Sequence, residues 1–288
     1  MPVRFGFGSY NYQLVEGWPQ MPKQGVASDV AIDSRGRAFV ALRDWPYPET
    51  TGGAVLVFDK DGKFVESWGD DLYTTPHGIW IGPEDEIFMT DSADHTVRKY
   101  APSGELLMTM GTKDRPGAPG MPFNRPTRAV LSKSGEIFVG DGYGQNRVHR
   151  FTARGELITS WGSDGSGPGQ FDLPHDVTVD NDDRVYVMDR SNNRCQVFDN
   201  NGKYLTEWPV PAANDAVLDG DEVLHVATAA QGIHLMSLDG TLLGAWGKRG
   251  EGPGEFRGYP HGIWLDAEGS VYVAEVGAPN AIQKFERI

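Results

Sequence analysis

The sequence repeats one pattern of short apolar segments separated by polar turns. The clearest first segments lie at 79–81, 177–179 and 263–265, and the matching second segments lie at 87–89, 185–187 and 271–273. Apolar residues that alternate with polar ones, with turn residues between the runs, predict antiparallel strands. Four such strands in every unit of about 40–50 residues are typical of a β-propeller blade.

Six of these units fit the chain. They open near Ala27, Thr75, Arg125, Leu173, Asn214 and Tyr259. The last unit holds only three strand segments, and segment 13–18 near the N-terminus resembles the fourth-strand segment 63–68. We therefore expect an N-terminal strand to complete the last blade, which closes the ring and removes an open sheet edge. The predicted fold is an all-β, six-bladed β-propeller that forms a single domain over residues 1–288, and no helix is predicted.

Composition and charge narrow the choice of partners. The 288 residues carry a formal net charge of -14, and the acidic residues are spread along the chain. This balance argues against nucleic acid or an anionic membrane as a partner. Cys195 is the single cysteine, so no disulfide can form within the chain, which fits a reducing compartment. With no segment typical of a signal peptide or a membrane span, we expect a soluble, cytoplasmic protein.

A Pro-His pair occurs three times, each time at the start of a first-strand segment. The histidines are His77, His175 and His261 in units two, four and six, and the equivalent residues of the other units are Ser28, Thr127 and Asn214. One histidine beside a proline turn is usually structural, but histidines on alternate blades converge on the propeller axis. Three neutral imidazoles with an open fourth position make a catalytic zinc site. The remaining histidines share no position in the repeat and are interpreted as ordinary loop or strand residues; they are His95, His149, His225 and His234.

Other polar residues recur at the ends of the second strands. A carboxylate stands there in four units, as Asp91, Asp141, Asp189 and Glu275. We interpret these carboxylates as acceptors for main-chain N–H groups rather than as metal ligands. Just past this position stand Arg43, Tyr143 and Arg190. If these strand ends face the histidines, two guanidinium groups and a phenol surround the metal; the alternative is that they are surface loop residues.

Longer segments carry a resemblance to known proteins. The connections 165–171 and 250–256 look like those of NHL-repeat propellers, and the segments 72–78, 141–147, 169–175, 189–194 and 259–261 resemble one enzyme family. That family is peptidyl-α-hydroxyglycine α-amidating lyase, also called peptidylamidoglycolate lyase, whose catalytic core is a six-bladed NHL-type propeller. The resemblance covers nearly the whole chain. It implies a zinc lyase that cleaves the N–C bond of a carbinolamide to give a primary amide and glyoxylate.

The resemblance also implies a role for individual residues. The family's zinc ligands fall on His77, His175 and His261, its catalytic tyrosine on Tyr143, and its active-site arginines on Arg43 and Arg190. Tyr143 would then transfer a proton, and either arginine could bind the substrate carboxylate in a fork. The implied partner is a small-molecule or peptide α-hydroxy amide.

The chain departs from the family at several positions. Gly144 replaces a cysteine of the family's disulfide, and Tyr259 replaces a methionine near the metal. Gly262 replaces the aspartate that binds the family's structural calcium, while Asp176 follows the middle histidine instead. The three histidines predict zinc, while the change at Gly262 weighs against calcium at its usual place. Since the sequence shows no attached copper monooxygenase domain, another small α-hydroxy amide is left open as the natural substrate.

Two other classes of function remain open from the sequence. One is a different metal-dependent hydrolase or lyase on the same fold, such as a lactonase. The other is a non-enzymatic NHL propeller that binds a protein or glycan on its rim. Propellers serve all of these roles, so the fold alone does not decide between them.

Overall fold

The structure is a computed structural model that describes residues 3–43, 55–69, 72–230 and 232–288. Within these ranges the chain forms six antiparallel β-sheets and one short helical turn. The predicted class, an all-β six-bladed β-propeller, is confirmed. No helix in the described ranges has the length and apolar character needed to cross a membrane.

The sheets follow the repeat units, and each of the first five blades takes its strands in chain order. The strands that precede the first repeat are β1 (Arg4–Phe7) and β2 (Tyr10–Leu14). Blade one contains β3 (Val26–Ile32), β4 (Ala38–Arg43), β5 (Val55–Phe58) and β6 (Phe64–Trp68). Blade two contains β7 (Pro76–Ile81), β8 (Ile87–Asp91), β9 (Thr96–Tyr100) and β10 (Leu106–Gly111). Blade three contains β11 (Arg128–Leu131), β12 (Ile137–Asp141), α1 (Gly142–Gln145), β13 (Arg147–Phe151) and β14 (Leu157–Trp161).

The remaining blades have the same organisation. Blade four contains β15 (Pro174–Val179), β16 (Val185–Asp189), β17 (Arg194–Phe198) and β18 (Tyr204–Pro209). Blade five contains β19 (Ala213–Leu218), β20 (Val223–Thr228), β21 (Gly232–Ser237) and β22 (Leu242–Trp246). Blade six contains β23 (Tyr259–Leu265), β24 (Val271–Val276) and β25 (Ile282–Arg287), and its sheet order is β1-β2-β25-β24-β23. All six blades begin within three residues of the predicted openings.

The N-terminus completes blade six, as predicted, but its strand begins earlier than the predicted segment and overlaps it only in part. β2 pairs with β25, so that Tyr12 faces Arg287 and Leu14 faces Phe285. The predicted strand, 13–18, therefore begins too late, because the buried residues that alternate here are Tyr10 and Tyr12. β1 adds a fifth strand that the sequence did not predict.

The helical turn α1 is a correction to the expectation of no helix. It follows β12 directly, and the Gln145 amide donates a hydrogen bond of 2.7 Å to the Asp141 carboxylate. Gly142 opens the turn close to the next blade, since a Cβ atom there would lie only 2.4 Å from the Pro174 carbonyl oxygen. The absence of a side chain at this position allows the close approach, and α1 carries Tyr143.

The described chain divides into two compact units, each with its own cores. The first unit comprises residues 1–72 and 216–288, and the second comprises residues 73–215. In the first unit, Ile233 and Trp246 of blade five pack with Val273 and Phe285 of blade six. In the second unit, a separate cluster joins Phe88 and Met110 of blade two to Val139 and Phe151 of blade three. Each core thus lies between the faces of neighbouring sheets. The expectation of a single domain stays a prediction.

Candidate metal centre

The three Pro-His pairs lie at irregularities in the sheet ladder. In blade four, Pro174 pairs with Asp189 and Asp176 pairs with Met188, so His175 is an extra residue between them. The ladder of blade six skips His261 in the same way, and that of blade two skips His77 together with Gly78. A β-bulge of this kind re-aims the side chain of its extra residue. The three histidines therefore lie outside the regular pairing of their strands.

Each histidine ring is fixed by a main-chain carbonyl group of a neighbouring blade. The Nδ1 atom of His77 lies 2.8 Å from the Thr127 oxygen. The Nδ1 atom of His175 lies 2.6 Å from the Asn214 oxygen, and that of His261 lies 2.7 Å from the Ser28 oxygen. A carbonyl oxygen can only accept, so every Nδ1 carries the proton and every Nε2 presents its lone pair. Metal-binding histidines are oriented in this way by groups outside the ligand set.

The equivalent residues of the other three blades thus have a function that the sequence did not indicate. The sequence identified Ser28, Thr127 and Asn214 only as the equivalents of the histidines in the other units. Their main-chain oxygens instead hold the imidazoles in one tautomer. Because every residue has a carbonyl group, the identity of these residues gave no signal of this role.

Tyr143 joins two of the histidines within the second unit. Its hydroxyl lies 3.1 Å from Nε2 of His77 and 2.9 Å from Nε2 of His175. The rings of these two histidines are 4.8 Å apart. Since both Nε2 atoms are acceptors, the Tyr143 hydroxyl donates to one of them at a time. The structure thus brings Tyr143 to the atoms that the sequence predicts as metal ligands.

The three histidines form a group that could hold a metal ion. His77, His175 and His261 are 3%, 2% and 4% exposed. Their potential ligand atoms all lie within 4.8 Å of one another. A set of neutral imidazole donors suits zinc and other transition metals and is a poor set for calcium or magnesium, which prefer oxygen.

The two predicted arginines are in different units. Arg190 is half-buried just after β16, and its guanidinium donates a hydrogen bond of 3.3 Å to the side-chain oxygen of Asn214. The main-chain oxygen of Asn214 also accepts from His175. Arg190 therefore contacts the residue that orients a predicted metal ligand. Arg43 is half-buried as the last residue of β4 and pairs with Val26. The catalytic roles of Arg43, Tyr143 and Arg190 stay predictions.

Sequence reasoning missed Arg125 as a neighbour of the tyrosine. Its guanidinium carbon lies 5.3 Å from the centre of the Tyr143 ring, within the range of a cation–π contact. The Tyr143 amide also donates to the Arg125 carbonyl oxygen over 3.4 Å. Arg125 was noted only as the opening of blade three, and its approach to Tyr143 depends on α1, which was not predicted.

The recurring carboxylates act on the main chain, as interpreted from the sequence. Asp91 accepts from the amide of Thr75, and Asp141, Asp189 and Glu275 accept from the amides of Asn124, Asp172 and Gly258. In three blades, a side chain of the third strand also forms a hydrogen bond with the recurring carboxylate. The supporting pairs are His149 with Asp141, Gln196 with Asp189 and Gln283 with Glu275.

This pattern explains His149, which lies between Asp141 and Ser160 at 3.1 Å and 2.7 Å. The arrangement resembles a Ser-His-Asp triad, but glutamine fills the same place in two other blades. The histidine is therefore a structural member of the repeat. His225 likewise pairs with Asp219 at 3.0 Å, outside the group of three.

Two glycines explain where the chain departs from the lyase pattern. A Cβ atom at Gly262 would lie 2.2 Å from the Asp29 side chain, so an aspartate does not fit there. The residue that binds the family's calcium is thus excluded by packing at this position. A Cβ atom at Gly144 would lie 2.3 Å from the Asn124 carbonyl oxygen, so a cysteine does not fit beside Tyr143 either.

The fold and the histidine group together define a six-bladed propeller with a candidate metal centre. A family model described as a 6-bladed beta-propeller matches residues 125–225. NHL repeat-containing protein 3 from Mus musculus is 33% identical over 304 residues, which cover 95% of this chain and 84% of that protein. The chain therefore belongs to the family of NHL repeat-containing protein 3.

The relatives also include amidating lyases. Peptidyl-alpha-hydroxyglycine alpha-amidating lyase 1 from Drosophila melanogaster is 31% identical, over 97% of this chain and 65% of that protein. The human NHL repeat-containing protein 3 is 35% identical, over 68% of this chain and 59% of that protein. The chain thus spans less than two thirds of the fly and human relatives. A gluconolactonase from Xanthomonas campestris has the same fold, with a TM-score of 0.69, 14% identity and coverage of 99% and 95% of the two chains.

Proposed function

We propose that this protein is a zinc-dependent carbon–nitrogen lyase that cleaves an α-hydroxyglycine-type carbinolamide into an amide and glyoxylate. One observation carries the proposal: the Tyr143 hydroxyl lies within 3.1 Å of Nε2 of both His77 and His175. An acid–base group is thereby held against atoms that can bind a metal. The lyases among the relatives support the choice of reaction.

The residues present fit zinc as the metal. His77, His175 and His261 each offer a neutral Nε2 atom, and a site with three protein ligands leaves a position for substrate. When bound, zinc acts as a Lewis acid that lowers the pKa of a hydroxyl group. The carbonyl oxygens of Thr127, Asn214 and Ser28 keep the ligand atoms in place before any metal arrives.

The chain's own groups complete the reaction. In the substrate R–CO–NH–CH(OH)–COO⁻, the hydroxyl proton leaves, the C–O bond becomes the carbonyl of glyoxylate, and the C–N bond breaks. Tyr143, acting as a phenolate, takes the hydroxyl proton and returns it to the departing amide nitrogen, so that protons balance over one turnover. Arg190 or Arg43 holds the substrate carboxylate, since a guanidinium group matches its two oxygens.

The proposed substrate is a small-molecule or peptide α-hydroxy amide, and the proposed setting is the cytoplasm. The net charge of -14 supports partners other than nucleic acid or anionic membranes. The single cysteine supports a reducing compartment, and burial raises the pKa of the Cys195 thiol, which keeps it unreactive.

Metal content tests the first half of the proposal. Elemental analysis of the purified protein is expected to give about one zinc per chain, as a site with a single ligand set requires. His77→Ala, His175→Ala and His261→Ala should each lose it. His234→Leu changes a buried histidine outside the group and serves as the matched control. Zinc that survives the three substitutions places the metal elsewhere.

Turnover tests the second half. The zinc-loaded protein is incubated with α-hydroxyhippurate, and glyoxylate is assayed alongside hydrolysis of a lactone. Glyoxylate release that is lost in His175→Ala supports the lyase. If the protein binds its full complement of metal but hydrolyses only the lactone, the lyase proposal is wrong and a lactonase-like reaction takes place at the same centre.

The second candidate function is a non-enzymatic NHL scaffold. It is favoured by the mouse NHL repeat-containing protein 3, which matches 95% of this chain. A scaffold predicts neither stoichiometric metal nor turnover of any of these compounds. The two experiments above therefore separate it from both enzymes.

A further inference from the structure

A buried cluster of three charged residues lies next to the groups that orient two of the histidines. In the second unit, Arg128 Nη1 lies 3.3 Å from Asp215 Oδ2, and Arg128 Nε lies 3.6 Å from Asp176 Oδ1. The side chains of Arg128, Asp176 and Asp215 are 5%, 1% and 5% exposed. Burying a charge is costly unless it is paired, and this guanidinium pairs with both carboxylates.

Each member of the cluster follows a residue of the metal centre in the chain. Arg128 follows Thr127, whose carbonyl accepts the Nδ1 proton of His77. A carbonyl group shares one rigid peptide plane with the next residue's nitrogen and Cα atom, so the placement of Arg128 fixes the direction of the Thr127 oxygen. The Arg128 side chain also packs close to Gly78, where a Cβ atom would come within 3.3 Å of its Cδ atom.

The same reasoning applies to the second histidine. Asp215 follows Asn214, whose carbonyl accepts the Nδ1 proton of His175, and Asp176 follows His175 itself. The guanidinium contacts both carboxylates, and therefore links the backbone that carries His175 to the backbone that orients it. A guanidinium group presents several donors in one plane, so it can contact both carboxylates at once.

We propose that Arg128 is a positioning residue of the metal centre, which aims the Nε2 atoms of His77 and His175 through the Thr127 and Asn214 carbonyl groups. The inference rests on the proposed metal site, but its first readout needs no metal. Arg128 contacts neither substrate nor metal in this role.

The test compares Arg128→Met and Arg128→Lys with a matched control. Arg150→Met removes a largely buried arginine of the same blade that pairs with Glu136 at 2.7 Å. Nitrogen-15 NMR of the metal-free protein reports the tautomer and order of each imidazole, with signals assigned from the histidine variants. In Arg128→Met we expect the protected Nδ1–H signals of His77 and His175 to be lost, while His149, held by Asp141 and Ser160, keeps its signal. Arg150→Met should leave all of these signals unchanged.

Cobalt(II) affinity gives the second readout, by its visible absorption. Arg128→Met should bind cobalt about 10–100-fold more weakly, the usual effect of losing a group that orients ligands, and Arg128→Lys should fall between. Arg128→Met should also lower Tm by about 5–10 °C. A Tm loss with unchanged histidine signals and unchanged cobalt affinity would make the cluster merely structural and overturn the inference. If the wild-type protein binds no cobalt, the proposed function is wrong. The NMR comparison then still tests whether Arg128 positions the two histidines.

Discussion

The main-chain oxygen of Thr127 lies 2.8 Å from Nδ1 of His77 and 2.8 Å from the hydroxyl of Thr90. The same Thr90 hydroxyl accepts a hydrogen bond of 2.8 Å from the Gly78 amide. His77 is therefore held by a small network that closes on the residue after it. The glycine of the Pro-His-Gly turn belongs to this network, because a Cβ atom at position 78 would lie 2.6 Å from the Thr127 oxygen.

Gly78→Ala should consequently weaken metal binding without touching a ligand. The added methyl group displaces the Thr127 carbonyl, and His77 loses the acceptor that fixes its tautomer. We expect metal affinity to fall about 10–100-fold, measured by competition with a chromophoric chelator. Gly220→Ala is the control, because a Cβ atom there meets nothing within 4 Å. Equal metal affinity in both variants would contradict the network.

Tyr143→Phe should separate proton transfer from metal binding. The phenyl ring keeps the edge contacts with His77 and His175, at centroid distances of 5.2 Å and 5.6 Å, and loses only the hydroxyl. We expect kcat for glyoxylate release to fall about 10²–10⁴-fold, the usual worth of a positioned acid–base group. Zinc content and Tm should remain those of the wild type. A variant with wild-type kcat would exclude Tyr143 as the proton carrier.

Arg190→Lys should raise KM more than it lowers kcat. Lysine keeps the positive charge but loses the planar fork that binds a carboxylate through two hydrogen bonds. One lost charge-assisted hydrogen bond corresponds to a rise of roughly 10–100-fold in KM. Arg184→Lys, in the same blade and paired with Asp180 at 2.6 Å, should leave both constants unchanged. If the two variants behave alike, the carboxylate is held elsewhere, and Arg43 is the next residue to change.

The sequence predicted the blades well because strand alternation is local. Apolar residues with period two and the turns between them are visible in a single stretch of chain, and every blade opening was confirmed. The N-terminal strand was predicted in the right sheet, but it begins at Tyr10, three residues before the predicted segment. There, burial of Tyr10 and Tyr12 is decided by packing against neighbouring blades, which the segment itself does not reveal.

The candidate site was only partly visible in the sequence. Equivalent positions in the repeat identified His77, His175 and His261, which the structure places close together. The bulges, the carbonyl acceptors and the contact between Arg125 and Tyr143 could not be predicted. They depend on backbone groups that every residue shares, and on α1, which forms where Gly142 approaches Pro174.

The buried His234 predicts a loss of stability in mild acid. It is 4% exposed in β21, burial lowers its pKa, and within the described residues its Nε2 atom has no hydrogen-bond partner. The folded protein keeps this ring neutral, whereas the unfolded chain takes up a proton near the ordinary pKa of about 6.5. The stability associated with the neutral ring is therefore present above that pH and is lost as the pH falls below it.

His234→Leu should remove this part of the pH dependence, because leucine has a similar volume and no group that can bind a proton. We expect calorimetry to show that the Tm of the variant minus that of the wild type is larger at pH 5.5 than at pH 7.5. Leu235→Val, at the next residue of β21, shortens a buried side chain without a titratable group, so its Tm difference from the wild type should be the same at both pH values. A constant difference for His234→Leu as well would show that His234 does not contribute to the acid sensitivity of the fold.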